Sequence, residues 1–353
     1  MKVLTVVGAR PQFVKAAAVA RHLRQQHEEI LVHTGQHYDA NMSDVFFQEL
    51  GIPAPDVNLG TGSGAHGAQT GQMLADLEAQ MLHHKPDYVL VYGDTNSTLA
   101  GALAAAKLHI PVAHIEAGLR SFNKNMPEEI NRVLTDHVSA LLFCPTRAAI
   151  ENLENEGIRH GVYHVGDVMI DILQTAHARC DEATVFEAHN LPREGFFLAT
   201  IHRPANTDHR AALQGILEAF AATEQTIVLP VHPRLQAALD REALALSPNV
   251  RGIPPQSYLN MVALLTAADL VLTDSGGLQK EAYALHRRCV TVRSETEWVE
   301  TVAVSWNRLA APSAESILSR IEDALQANPV VHPDFYGDGH AAEQIVQILT
   351  DHA

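Results

Sequence analysis

VLVYGDTNSTLAGALAAAKLHIPVAHIEAGLRSFNKNMPEEINR, residues 89–132, is the stretch that decides how the chain is read. It runs strand, helix, strand, loop, helix. Two apolar runs, Val89-Leu90-Val91 and Val112-Ala113-His114-Ile115, bracket an alanine-rich segment of helical length. Asp94 follows the first run and Glu116 the second. Glu128 and Glu129 stand behind Pro127, a residue that suits the first turn of a helix. Ligands of open parallel sheets bind outside the carboxyl ends of the strands, so Asp94 and Glu116 are expected to line one crevice. One acid at a strand end is ordinarily a helix cap or a solvated loop residue; two at successive strand ends point to a site.

Towards the N-terminus, the strand 3–7 ends in Gly8-Ala9-Arg10-Pro11, and a helix with Lys15 in its first turns follows. This predicts a tight turn whose free amides, with Arg10 and Lys15, face an anion. The turn is neither GxGxxG nor a P-loop and gives no evidence for NAD or ATP. A strand over 30–34, a helix over 45–50, a glycine-rich loop over 61–71 and a helix over 72–84 lead into the strand before Asp94. Beyond Arg132, a strand over 141–144, a helix over 148–156 and a strand over 162–165 continue the alternation. Repeated strand-then-helix units mean a parallel sheet with right-handed crossovers.

The pattern changes after residue 167. A helix over 168–179 gives way to a polar stretch and to Pro192-Arg193-Glu194-Gly195, read as a linker. A second series then begins. Its strands end in His202-Arg203-Pro204, His232-Pro233-Arg234, Asp274-Ser275-Gly276-Gly277 and Ser294-Glu295-Thr296-Glu297. The expected fold is α/β, with two Rossmann-like domains facing across a cleft: 1–167, with the helix 340–353 packed back on it, and 168–339. Small residues at Ser275, Gly276 and Gly277 let a backbone approach a ligand, and amides at the helix start suit a diphosphate. Glu281, one turn on, can reach a ribose. The plain alternative is a helix capped by Asp274 or Ser275. His202 and His232 can move a proton near neutral pH or donate to a phosphate.

A length of 353 residues suits two domains. The formal net charge of −16 argues against nucleic acid or an anionic membrane as the main partner. Cys144, Cys180 and Cys289 are too scattered for a disulfide framework or a metal site, and no HExxH spacing occurs, so no metal is assigned. No apolar run is long enough to span a bilayer and no signal-peptide pattern opens the chain, so a cytoplasmic protein is expected.

Six motifs in order carry a resemblance: GARPQFVK at 8–15, GDTNST at 93–98, HIEAGLRS at 114–121, PEEINR at 127–132, HRPAN at 202–206 and TDSGGLQKEA at 273–282. Together they resemble the non-hydrolysing UDP-N-acetylglucosamine 2-epimerases, whose fold is the two-domain GT-B-like one. The resemblance implies inversion at C2 of a UDP-linked 2-acetamido sugar, UDP-GlcNAc to UDP-ManNAc, by anti elimination of UDP to a 2-acetamidoglucal and re-addition. No cofactor is implied, neither NAD nor metal, and a homodimer is the family expectation. By motif, Asp94, Glu116, Glu128 and His202 match the catalytic residues. Arg10, Lys15, Arg132, Ser275, Gly276, Gly277 and Glu281 match positions at the UDP, and His232 is assigned to substrate binding with them. The chain departs from the family pattern at Gln36-His37-Tyr38-Asp39 and Ala68-Gln69, so activation by a second substrate molecule is not carried over. TEWVE at 296–300 and GQHYDANMS at 35–43 are similar to the branch acting on UDP-2,3-diacetamido-2,3-dideoxyglucuronate, which stands second as the substrate.

Overall fold

The computed structural model describes residues 1–36, 54–327 and 331–353, without the side chains of Arg10 and Glu182. The helix expected over 45–50 lies outside the described residues. The chain divides into two units, Met1–Gln174 with Asp334–Ala353, and Thr175–Pro333.

The first unit carries the strands β1 (Lys2–Val7), β2 (Glu28–His33), β3 (Val57–Asn58), β4 (Tyr88–Tyr92), β5 (Val112–Ile115), β6 (Leu141–Cys144) and β7 (Val162–His164). They form one sheet in the order β3-β2-β1-β4-β5-β6-β7, and every pairing is parallel. Val3, Leu4, Val6 and Val7 of β1 and Val89, Leu90 and Val91 of β4 are fully buried, as strands covered on both faces must be. The helices are α1 (Arg10–Gln26), α2 (His66–His84), α3 (Asn96–Lys107), α4 (Pro127–Val138), α5 (Arg147–Asn155) and α6 (Val168–Arg179). In α3, a Cβ added to Gly101 would lie 3.2 Å from both Val6 and Val91, so a small residue lets the helix sit down on β1 and β4.

The second unit holds α7 (Glu182–Ala188), β8 (Phe196–Thr200), α8 (Pro204–Thr207), α9 (Arg210–Ala222), β9 (Thr226–Pro230), α10 (Pro233–Glu242), β10 (Val250–Ile253) and α11 (Tyr258–Ala267). It continues with β11 (Leu270–Thr273), α12 (Gly276–Ala284), β12 (Cys289–Thr291), α13 (Val299–Ala303), β13 (Asn307–Leu309) and α14 (Ala314–Gln326). Its sheet runs β10-β9-β8-β11-β12-β13, again all parallel. The last helix, α15 (Ala341–Asp351), belongs to the first unit. It reaches the end of α1 through a 2.8 Å contact between His27 Nε2 and Thr350 Oγ1, and its first amides, those of Ala341 and Ala342, donate to Asp171.

Both sheets reverse their strand order once, between β1 and β4 and between β8 and β11. Such reversals open a crevice at the carboxyl ends of the strands, and the polar motifs stand there. Asp94 follows β4, with Glu116 behind the adjoining β5; His202 follows β8 and Asp274 follows β11.

Three expectations are corrected. Residues 66–71 are the start of α2 rather than loop, despite Gly67 and Gly71. The helix buries Gln69, Met73, Leu77 and Met81 on one face, and that face outweighs the weak propensity of its first turn. Pro192-Arg193-Glu194-Gly195 does not join the units: it leads from α7 to β8 within the second unit, and α7 sinks Val185 and Phe186 into that unit's core with Phe196 and Leu264. The boundary between units falls inside α6, at Gln174, and again at Pro333, rather than at 167 and 339.

Gly118, two residues beyond Glu116, has φ +79°, and a Cβ there would lie 2.3 Å from the Ala149 carbonyl oxygen. Gly118→Ala adds left-handed strain to an overlap with rigid backbone, an expected cost of about 2–4 kcal/mol. Urea unfolding followed by circular dichroism measures it; an unchanged midpoint would contradict this placement of the Glu116 loop.

Candidate active site

In the first unit, the strand ends are closed by side chains that leave little freedom. Gln12 of α1 is buried, accepts from the Gly8 and Ala9 amides at 2.8 and 3.1 Å, and donates to the Tyr92 carbonyl at 2.6 Å. The amides expected to face an anion are therefore spent inside the protein, which corrects that reading of the Gly8 turn. Thr95 caps α3, exchanging bonds with Thr98, and this sets the direction in which the chain leaves Asp94.

Glu116 has φ +72°, a left-handed conformation that a glutamate adopts at a cost of about 1–3 kcal/mol. Lys15 of α1 is ion-paired with it. A Cβ on Gly93 would lie 3.2 Å from Glu116 Oε2 and 3.9 Å from Lys15 Nζ, so a glycine before Asp94 leaves room for the pair. Burial pulls the Lys15 ammonium down, but Glu116, Asp167 and Asp94 outweigh it and raise its pKa above the ordinary value.

Arg132 of α4 bridges two acids, Asp94 at 2.6 Å and Glu129 at 2.9 Å. Glu129 also accepts from the Ser121 and Phe122 amides at 2.8 Å each, tying the loop behind Glu116 to the first turn of α4. Burial pushes the Glu129 carboxyl up; those amides, the Ser121 hydroxyl and Arg132 overcome it and hold it below the usual range. Asn131 donates to the Asp94 carbonyl at 2.9 Å. Glu128 is exposed and takes no part in these ion pairs. Beneath the acids, the buried His114 spans Asp136 at 2.7 Å and the Gly93 carbonyl at 2.8 Å, and Arg120 pairs with Asp136 at 2.7 Å. Asp136 is lifted by burial and lowered further by His114 and Arg120, so its carboxyl ends below the ordinary value. Arg10 opens α1, its side chain outside the description, and residues 37–39 of the Gln36 region lie outside the described residues.

In the second unit, Asp274 is the hub. Fully buried, it accepts from the His202 amide at 3.0 Å, the Arg203 amide at 2.9 Å and Asn206 Nδ2 at 3.0 Å, and faces His202 Nδ1 at 3.1 Å. This resolves the capping alternative: Ser275 caps α12, accepting from Leu278, while Asp274 turns away and fixes the HRPAN loop. Burial raises the Asp274 carboxyl, and His202 with the loop amides brings it below its ordinary value. The His202 and His232 rings lie 5.8 Å apart. His232 caps α10, its Nδ1 accepting from the Arg234 amide at 3.1 Å, and burial, then His202, lower its pKa. Gly276 and Gly277 open α12, where helix amides have no partner within the helix. Glu281, a turn on, accepts from the Tyr258 hydroxyl at 3.0 Å.

Asp94, Glu116, Lys15 and Arg132 thus gather in one unit and His202, His232, Ser275 to Gly277 and Glu281 in the other. Gln12, Glu129, Asn131, Asp136 and Asp274 support them; Gln12, Glu129, Asn131 and Asp274 lie within motifs, whereas Asp136 carries no local signal.

The comparisons fit this arrangement. The family described as UDP-N-acetylglucosamine 2-epimerase matches residues 21–350. The chain belongs to that family. A UDP-N-acetylglucosamine 2-epimerase homolog of Methanococcus maripaludis is 49% identical, over 99% of each chain. The UDP-2,3-diacetamido-2,3-dideoxy-D-glucuronate 2-epimerase of Pseudomonas aeruginosa is also 49% identical over 99% of each. The crystal structure of the Methanocaldococcus jannaschii UDP-GlcNAc 2-epimerase, in complex with UDP-GlcNAc and UDP, superposes with a TM-score of 0.86 at 41% identity, covering 99% of this chain and 100% of that one. The family is one of isomerases, and its GT-B-like α/β fold with two parallel sheets is the fold of this chain.

Glu129, Asp136 and Asp274 all have pKa values depressed by folding. A depressed carboxyl contributes stability that is complete above its unfolded value, near 4, and is lost as pH falls through the folded value. Urea midpoints are therefore expected to fall steeply below about pH 4. The slope should be shallower in Asp136→Asn, and an equally steep fall in that variant would count against the assigned network.

Proposed function

We propose that the chain interconverts UDP-GlcNAc and UDP-ManNAc without hydrolysis. The observation that carries this reading is the pair of strand-end acids, each held by a cation: Asp94 at the strand-order reversal of the first sheet and Glu116 at the end of the adjoining strand. Inversion at a carbon needs one group to take a proton on one face and another to return one on the opposite face. A base among Asp94, Glu116 and Glu128 takes the C2 proton, the C2 electron pair forms the C1–C2 double bond, and the C1–O bond breaks to release UDP. UDP then re-adds to C1 as a proton reaches C2 from the other face. His202, oriented by Asp274, is suited to serve the departing diphosphate or a proton step, and Lys15, Arg10, Arg132 and His232 to bind substrate. Ser275, Gly276 and Gly277 meet the diphosphate and Glu281 the ribose. Holding the charge that grows on the leaving diphosphate is expected to supply much of the rate. No NAD or metal enters the scheme.

A second reading replaces the sugar by the 2,3-diacetamido uronate. It is favoured by TEWVE and by the 49% identity to the Pseudomonas aeruginosa relative named for that substrate. A homodimer goes with the family reading. It is supported by an exposed apolar stripe at four-residue spacing, running from Met126, the residue before α4, through Ile130 and Leu134 to Val138. A second copy covering it would brace the helix that carries Arg132. A cytoplasmic place, where nucleotide sugars are made, and a role in supplying sugar units for cell-surface polysaccharide belong to the same proposal.

Proton NMR of UDP-GlcNAc with purified protein is expected to show a second anomeric signal growing, that of UDP-ManNAc. Turnover of the uronate alone would move the assignment to the second reading, and silence with both would sink the epimerase. Asp94→Asn and Glu116→Gln should each lower kcat by roughly 10²–10⁴-fold. Ile130→Glu with Leu134→Glu should convert a dimer to a monomer in light scattering; an unchanged mass would reject the α4 interface.

A further inference from the structure

Two guanidinium groups converge on Gly276. A Cβ built there would lie 3.7 Å from Arg203 Nη2, 4.0 Å from Arg293 Nη1 and 3.9 Å from Glu297 Oε2. Arg203 comes from the loop behind β8, where Asp274 fixes its backbone amide at 2.9 Å. Arg293 comes from behind β12 and makes a two-pronged pair with Glu297, 2.9 Å on each prong. The Arg293 side chain is 10% exposed and that of Glu297 is 53% exposed. That difference decides which partner can give way, because the carboxylate side chain is much the more exposed of the two. Burial lifts the Glu297 carboxyl, yet Arg293 and then Arg203 bring it below its ordinary value, so both arginines act on the one carboxylate.

We infer that Arg203 and Arg293 seat the diphosphate of the bound nucleotide beside Gly276, and that Glu297 holds the place of that anion on Arg293 until it arrives. The inference rests on the UDP-sugar reading above. The planar fork of arginine matches phosphate oxygens in pairs, and the missing side chain at Gly276 leaves the space in which they would lie. One carboxylate opposite two cations leaves a positive excess for a dianion to neutralise. A sugar carboxylate shares the chemistry, and the test separates the two sources.

Calorimetric titration of the whole protein with UDP, with uridine as the control lacking phosphate, reads the seat directly. Arg203→Met and Arg293→Met are each expected to lose roughly 10- to 100-fold in UDP affinity while uridine binding stays as in the unsubstituted protein. Glu297→Gln, at an exposed position that leaves the core untouched, is expected to bind UDP severalfold more tightly. Equal UDP binding by the unsubstituted protein and both arginine variants would overturn the seat while leaving the nucleotide reading intact. No binding of UDP by the unsubstituted protein would instead overturn the reading beneath it. A loss confined to the UDP-diacetamido uronate would give the arginines to the sugar carboxylate and reject the diphosphate. Weaker UDP binding by Glu297→Gln would make that carboxylate an orienting partner and reject its place-holding role.

Discussion

The Lys15–Glu116 ion pair is the constraint around which the first unit's site is assembled. It requires Lys15 of α1 to reach the residue just beyond β5, a glycine at 93 to leave room, and a glutamate in a left-handed conformation. Each requirement is met by residues that otherwise look unremarkable in a βα turn. Half-buried charges are tolerated when paired and costly when left alone, so removing either partner strands the other. The same logic recurs at Arg132, which serves Asp94 and Glu129 together, and below them at Asp136, which serves His114 and Arg120. The acids expected to do chemistry therefore stand on an internal ladder of opposite charges, fixed before any substrate is present.

The second unit reaches a comparable rigidity by different means. Its buried carboxylate, Asp274, is satisfied mainly by backbone amides and an asparagine, with His202 the titratable partner. The hub orients a loop and leaves the His202 ring half-exposed at the strand end. A carboxylate behind an imidazole fixes its orientation, a reason for TDSGG and HRPAN to be read as one device.

Much of this was legible in the sequence because parallel strands buried on both faces are continuous apolar runs, and because polar residues gather where those runs stop. The strands ending at Asp94, Glu116, His202 and Asp274 could be placed from that alone. The failures have physical causes. The start of α2 is rich in glycine and polar residues and shows no helical preference of its own; burial of Gln69 and Met73 decides it. The amides of Gly8 and Ala9 look free in sequence, since nothing local reveals that Gln12 folds back on them. Asp274 beside a helix start reads as a cap, and only the long-range approach of the β8 loop shows its other use. Asp136 lies inside a helix with no motif around it, and its partners come from a strand and a loop.

Epimerisation by this chain is expected to move a proton at C2 of a UDP-linked 2-acetamido sugar by exchange with groups open to solvent. The most direct test is NMR of UDP-GlcNAc incubated with the protein in D₂O. Loss of the C2 proton signal is expected in both epimers, with one deuterium at C2 as the two sugars reach equilibrium. Epimerisation with the original C2 proton retained throughout would contradict it, as would free sugar accumulating in place of the second nucleotide sugar.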